Sequence, residues 1–401
     1  MDWVSRKINP AHYPVGLGSQ VLEVMELLDV GCDGGVHMIG IHGVGGVGKS
    51  TLAQEVYNNL IADKFDGSCF VENVREKSNK HGLQYLQSIL LSKILGEKDI
   101  KLTSVQQGTS MIQRRLQQKK VLLILDDVDR QEQLQAVVGR ADWFGPGSRI
   151  VITTRDEQLL ASYDVQRTYE VKKLNKNDAL GLLKWKAFKM HYYDQRYEEL
   201  LNHAVTFASG IPLALEVIGS NLYGKSVEEW KTVIHQFEKC PNSPVQAILK
   251  ASFDSLEEKE RSVFLDIASC FKGYELAEVE DILQAHYGQN MKCYIDALVE
   301  KSLVKLSHGT KPCYNRVTLH DLIEDMAKDI VRQKSLIEPG ECRRLWLLED
   351  VREVLKHNRV SEVHEWFDLT FFIIILSCHS CCACIVVGSC LLINRELAKL
   401  K

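Results

Sequence analysis

The sequence predicts a parallel α/β sheet with helices on both faces, followed by an all-helical stretch and a helical module carrying a two-stranded wing. Three observations lead there. Short apolar runs at residues 36–41, 68–74, 121–125 and 149–153 alternate with helical patterns at 49–62, 83–95, 110–119 and 132–138, the order of a parallel sheet. Strand-like runs stop by Leu174, and helical periodicity continues to about Phe237. Further helices then precede two short runs, 303–306 and 317–319, flanking a turn-rich His308-Gly309-Thr310-Lys311-Pro312.

Each element has its own signal. Val121-Leu122-Leu123-Ile124-Leu125 has no polar alternation, which predicts a central strand buried on both faces. Cys240-Pro241-Asn242-Ser243-Pro244 is a breaker and marks a domain boundary. After the hairpin, Leu319, Leu322, Ile323, Met326 and Ile330 form the stripe of a last helix, with Thr318 expected as its cap and His320 and Asp321 in its first turn.

The 401 residues are 45% hydrophobic and 25% charged, as in a soluble globular chain long enough for two or three domains. A net charge of −4 gives no electrostatic basis for nucleic acid or an anionic membrane as main partner. Of the 12 cysteines, those before residue 345 are scattered, without CxxC or His/Cys ligand spacing, as in a reduced, cytoplasmic protein.

Gly43-Val44-Gly45-Gly46-Val47-Gly48-Lys49-Ser50 matches the phosphate-binding G-x-x-x-x-G-K-[ST] pattern between a predicted strand and a predicted helix. Its glycines let successive backbone N–H groups face a phosphate, and the helix start adds its partial positive charge. Lys49 is expected on the β- and γ-phosphates, Ser50 on Mg²⁺, and Thr51 as a further contact. The plain alternative is a glycine-rich turn without a ligand. The fold class is therefore an α/β P-loop NTPase domain followed by all-helical and winged-helix subdomains.

A P-loop needs an acid at the end of a neighbouring buried strand, and the 121–125 run ends in Asp126-Asp127. Asp126 would orient Mg²⁺, and Asp127 would position or deprotonate an attacking water, unless the two acids merely start a loop. Gly147 through Arg155 reads as a strand ending in Thr153-Thr154-Arg155, which puts a hydroxyl and a guanidinium at the sheet's carboxyl edge. Arg155 can make a forked contact to a γ-phosphate; taken alone it would be a surface arginine.

These residues, in this order, resemble the NB-ARC domain of plant disease-resistance proteins and of the apoptotic protease-activating factors. Phe65 through Ser78 is similar to the segment after the P-loop helix in the class that carries a Toll/interleukin-receptor domain. Gly210-Ile211-Pro212-Leu213-Ala214-Leu215 resembles the family's Gly-Leu-Pro-Leu motif. Phe264-Leu265-Asp266-Ile267-Ala268 resembles a later structural motif, and Leu319-His320-Asp321 stands where the family has Met-His-Asp. The resemblance covers about residues 13–358. It implies an ADP/ATP switch with Mg²⁺, off with ADP and on with ATP. Pro212 then lies near the adenine, and His320 on a winged-helix lid at the β-phosphate. Without the resemblance His320 reads as an ordinary surface histidine. Implied partners are the nucleotide, other immune-receptor proteins, or a second copy in the ATP form.

The expected division is a linker at 1–14, the P-loop domain at 15–168, a helical subdomain at 169–243 and a winged helix at 244–335. A helical extension at 336–360 and an atypical tail at 361–401 complete it. The class's Toll/interleukin-receptor domain and leucine-rich repeats are not in this sequence, which leaves a truncated receptor, an adaptor or a degenerate gene product open. Residues 369–393 are nearly all apolar and carry Cys378, Cys381, Cys382, Cys384 and Cys390. Read-through sequence, a membrane anchor and a small zinc knot on Cys378, Cys381 and Cys384 all fit them.

A fast, remodelling ATPase needs an arginine from a neighbouring subunit, and none suggests itself. A DNA reader through the winged helix needs a basic face, whereas residues 246–335 carry 12 Lys and Arg against 15 Asp and Glu, a net −3.

Overall fold

The structure, a computed structural model, describes residues 15–29, 34–61, 65–97, 100–189, 194–238, 244–288, 290–308 and 315–335. They fall into two compact units: the described residues up to Leu182 with Gly210–Leu213, and Leu183–Ser209 with the described residues from Ala214 on.

The first unit runs α1 (Leu17–Leu27), β1 (His37–His42), α2 (Lys49–Leu60), β2 (Gly67–Val71), α3 (Val74–His81), α4 (Leu83–Leu95), α5 (Val105–Leu116), β3 (Val121–Val128), α6 (Gln131–Val137), β4 (Arg149–Thr154), α7 (Glu157–Ser162) and β5 (Thr168–Glu170). The strands form one sheet of order β2-β3-β4-β1-β5, all pairs parallel. β3 is buried along its whole length. Leu123 and Leu125 enter one core with Leu86, Leu90, Ile150 and Ile152, while Leu122 and Ile124 enter the opposite core with Ile39, Leu52, Val56 and Val151. This two-residue alternation between two apolar layers is what an unbroken apolar strand requires. Because β4 lies between β1 and β3, the carboxyl ends of the glycine-rich strand, the Thr-Thr-Arg strand and the Asp-Asp strand are neighbours.

The second unit takes in the later half of α8 (Lys176–Phe188), from Leu183 on. It continues with α9 (Glu198–Ala208), α10 (Pro212–Leu222), α11 (Val227–Glu238), α12 (Pro244–Asp254), α13 (Glu258–Asp266), α14 (Leu276–Tyr287), α15 (Lys292–Glu300), β6 (Lys305–His308), β7 (Asn315–Thr318) and α16 (Asp321–Ser335). The fully buried Trp230 donates from Nε1 to the Leu222 carbonyl at 2.9 Å and stacks on Phe188. β6 and β7 pair antiparallel as the expected wing. α16 buries Ile323, Ala327 and Val331, so the centre of its apolar stripe is set by these three rather than by Leu322, Met326 and Ile330, which are half-buried.

Three expectations need correction. The strand expected over 68–74 ends at Val71, because Asn73 adopts φ 51 and turns the chain into α3, which Val74 opens. The short edge strand β5 carries no apolar run and was not anticipated. Thr318 does not cap the last helix: its Oγ1 donates to the Lys305 carbonyl at 3.0 Å across the wing. The cap is His320, whose Nδ1 accepts from the Leu322 N–H at 3.2 Å.

The linker 1–14, most of the breaker, the extension 336–360 and the tail 361–401 with its zinc and membrane readings lie outside the described residues. Among the described residues, no helix is long and apolar enough to cross a membrane, and Cys69 and Cys293 carry free thiols. Burial pushes the Cys69 thiol up to about 12, which keeps it an inert core group.

Candidate functional site

The glycine-rich loop leaves β1 at His42 and enters α2 at Lys49. Gly43, Gly46 and Gly48 have φ 143, 79 and 107, the region that costs an L-residue strain. A Cβ on Gly46 would stand 2.9 Å from Leu213 Cβ, whereas one on Gly48 would meet nothing within 4 Å. Gly46 is thus a packing contact and Gly48 faces open space. Gly45 keeps negative φ, and Val47 is buried in the core beside Val171. The buried Lys49 donates from Nζ to the carbonyls of Gly43 at 2.8 Å and Val44 at 3.0 Å, so its ammonium lies across the loop. Ser50 and Thr51 sit in the first turn of α2, whose leading N–H groups have no intrahelical acceptor.

Asp126 Oδ1 accepts from Ser50 Oγ at 2.8 Å and from Thr153 Oγ1 at 2.6 Å. One carboxylate oxygen therefore joins the first turn of α2, the Thr-Thr-Arg strand and its own strand. Asp127 is at φ 57, where β3 breaks register against β4, and its N–H donates to Thr153 Oγ1 at 2.9 Å. Its side chain is largely buried between two guanidiniums: Arg75 Nε is 3.0 Å from Oδ2, and Arg155 Nε is 3.7 Å from Oδ1. At the end of β1, His42 Nε2 is 3.7 Å from Glu157.

The Gly-Ile-Pro-Leu segment closes one side of the loop. Gly210, at φ 68, accepts from the Leu174 N–H at 2.9 Å, and the Leu213 N–H donates to the Gly46 carbonyl at 3.3 Å. Ile211 and Leu213 are buried against Gly46. Pro212 opens α10, where a missing N–H costs nothing.

In the second unit His320 accepts at Nδ1, so its neutral ring carries the proton on Nε2. Nearby, Glu216 on α10 is bridged to Lys305 of β6 at 2.9 Å and to Lys186 of α8 at 4.0 Å.

The structure thus brings together Gly43, Gly45, Gly46, Val47, Gly48, Lys49, Ser50, Thr51, Asp126, Asp127, Arg155 and Pro212 within one unit, with His320 in the other. The residues fit a phosphate and a divalent cation. Positive-φ glycines leave room for a bulky anion, and Ser50 and Asp126 form an all-oxygen set of the kind Mg²⁺ takes. Sequence reasoning missed Arg75. It lies in the stretch quoted for the family resemblance, but nothing local distinguishes it from a surface arginine at a helix start.

Residues 18–193 match the NB-ARC domain family, and residues 257–335 match the winged-helix domain of Roq1-like disease-resistance proteins. The chain is 39% identical over 351 residues to TMV resistance protein N of Nicotiana glutinosa, covering 86% of this chain and 29% of that protein. It is 39% identical over 333 residues to disease resistance protein RUN1 of Vitis rotundifolia, covering 83% and 24%. The chain therefore spans about a quarter of the length of these relatives. Among solved structures, a signal transduction ATPase with numerous domains from Pyrococcus horikoshii aligns with TM-score 0.47 and 17% identity, covering 87% of this chain and 46% of that one.

Proposed function

The chain belongs to the NB-ARC disease-resistance proteins of plants, and on that premise we propose that it is an ADP/ATP switch of an innate-immune receptor, off with ADP and on with ATP. The observation that carries this is the convergence of Ser50 and Thr153 on Asp126 beside the glycine-rich loop. It is a phosphate and Mg²⁺ site already assembled by the chain's own hydrogen bonds.

In this reading the loop amides and Lys49 hold the β-phosphate, and Ser50 and Asp126 hold Mg²⁺, which neutralises phosphate charge when bound. Arg155 answers to the γ-phosphate, which distinguishes ATP from ADP. Pro212 with Ile211 and Leu213 walls the base. The family resemblance gives His320 the β-phosphate in the closed form, and its Nε2–H tautomer suits a phosphate oxygen. A tenfold preference between nucleotides needs about 1.4 kcal/mol, the scale of one charge-assisted hydrogen bond. A ligand shifts such an equilibrium by no more than its differential affinity for the two states. The three-subdomain division at 168 and 243, and self-association in the ATP form, belong to the same proposal.

The test is the nucleotide carried by the purified full chain, released by denaturation and separated by chromatography. Bound ADP is expected, lost on Lys49→Ala by about 100-fold in affinity and released faster on His320→Ala. A chain that carries no nucleotide and turns over ATP rapidly would replace the switch with a working ATPase.

A further inference from the structure

We propose that Arg75 is a positioning residue that restrains nucleotide hydrolysis by holding the Asp127 carboxylate away from water. This rests on the nucleotide-switch reading above.

The geometry is specific to this pair. Asp127 is the acid beyond the metal-side Asp126, at the carboxyl end of the sheet. Such an acid, placed at a γ-phosphate, is suited to take a proton from water. To do so it must offer a carboxylate oxygen to that water. Here Oδ2 lies 3.0 Å from Arg75 Nε, and Oδ1 faces Arg155 at 3.7 Å. The two arginines differ in what a bound triphosphate does to them. Arg155, at the end of β4, has a phosphate to turn to. Arg75 stands at the start of α3, beyond β2 at the sheet's edge, with β3 and β4 between β2 and β1.

Both ends of the Arg75–Asp127 pair share one mount. Gln133 is buried, and its Nε2 donates to Ser78 Oγ of α3 at 2.8 Å and to Asp129 Oδ1 at 2.7 Å. Its Oε1 accepts from the backbone N–H groups of Asp129 at 3.0 Å and Arg130 at 3.1 Å. Ser78 Oγ in turn donates to the carbonyl of Arg75 itself at 3.0 Å. A single buried amide therefore fixes the helix that carries Arg75 to the loop that follows Asp127. The left-handed backbone at Asn73 and at Asp127 sets the two turns that aim the side chains at each other.

The step restrained is hydrolysis of a nucleoside triphosphate. The oxygen of water bonds to the γ-phosphorus, and the bond from that phosphorus to the β–γ bridging oxygen breaks with its electron pair leaving on the diphosphate. The water's proton passes to Asp127 and then to solvent. With Arg75 in place Oδ2 stays engaged after Arg155 has turned to the phosphate, so only Oδ1 is left to face the water and the triphosphate state persists, as a timer requires.

The test is single-turnover hydrolysis of γ-labelled ATP by the full chain with Mg²⁺, alongside retention of a fluorescent ADP analogue. Arg75→Ala is expected to raise the hydrolysis rate at least about tenfold with ADP-analogue retention unchanged. Arg75→Lys should restore the slow rate in part, and Arg75→Ala with Asp127→Asn should fall to the level of Asp127→Asn alone. A gain in rate is a readout that damage to the fold does not produce. An unchanged or slower rate in an Arg75→Ala chain that retains nucleotide would overturn the proposal. Should that variant fail to retain it, Arg75→Gln is judged by the same criterion. Failure of the unaltered chain to bind any nucleotide would reject the switch reading itself, and this inference with it.

Discussion

The two units each hold a carboxylate cluster, by different means. At the sheet's carboxyl edge in the first, Asp126 and Asp127 are held by two hydroxyls and two guanidiniums arriving from three places, the start of α2, the start of α3 and the end of β4. In the second, Glu216 sits on α10 and is held by ammonium groups, Lys305 at 2.9 Å from the wing and Lys186 at 4.0 Å from α8. Beside it Ser220 and Ser302 lie 2.6 Å apart, with Lys186 Nζ 3.5 Å from Ser302. Hydroxyls and guanidiniums can trade a carboxylate for a metal or a phosphate. Lysines closed over a half-buried glutamate hold secondary structure together and have no such exchange on offer. The first cluster is the one proposed as a site, and the second is a fastening between a helix and a wing.

The largest expected effect that sharpens this contrast is on the first cluster's backbone. Gly46→Ala places a methyl at φ 79 and 2.9 Å from Leu213 Cβ. Left-handed strain and overpacking together cost about 3 kcal/mol. The Leu213 N–H, which donates to the Gly46 carbonyl, should lose its protection from hydrogen exchange by about 100-fold. Gly48→Ala, with no neighbour within 4 Å, pays the strain alone and should leave Leu213 protected. Equal loss in both would mean that the loop, rather than its contact with the Gly-Ile-Pro-Leu segment, is what fails.

How much of this was legible follows from how far apart the partners are in the chain. The glycine-rich loop was readable because eight consecutive residues carry its backbone demands. Asp126 and Asp127 were readable because they end an apolar strand, and Arg155 because it ends another. Arg75 was not, since its partner is 52 positions away and Val74, after the polar Glu72-Asn73, extends the strand-like reading past the turn at Asn73. β5 escaped because Thr168-Tyr169-Glu170 pairs along one edge only and needs no apolar run. The cap lies at His320, two residues beyond the expected Thr318, because threonine is the commoner capping type and histidine is not among the usual ones. In the fold the Thr318 hydroxyl is already spent across the wing. Glu216 and Lys305 lie 89 positions apart, and nothing in either neighbourhood names the other.

A smaller effect tests the fastening. Burial pushes the Glu216 carboxyl up, but Lys305 and Lys186 more than offset it and leave it below the ordinary carboxylate range. A lowered folded-state value means its contribution is full above the ordinary glutamate range and is lost as pH falls through the folded value. Glu216→Gln should therefore weaken β6 by about 1.5 kcal/mol at neutral pH, discounted for the exposed half of Lys305. Hydrogen exchange in β6 would quicken about tenfold. The same variant should flatten the acid limb of β6's stability. An unaltered acid limb would mean that Glu216 carries no charge-dependent share of the fastening.

The smallest effect divides the fastening between its two lysines. Lys186 is lowered below the ordinary lysine value, chiefly by burial and only partly offset by Glu216. The fold thus disfavours the Lys186 charge while favouring that of its partner. Lys186→Met removes an ammonium that burial penalises, keeps most of the side chain's apolar length, and leaves Lys305 on Glu216. Loss and gain then nearly offset, and exchange in β6 should change less than about threefold, under about 0.7 kcal/mol. Lys305→Met, which removes the nearer cation, should approach the Glu216→Gln effect instead. If Lys186→Met loosens β6 as much as Lys305→Met does, the glutamate is shared by both lysines as one network. The contrast with the sheet-edge cluster would then narrow, because each cluster would hold its acid by two cations rather than one.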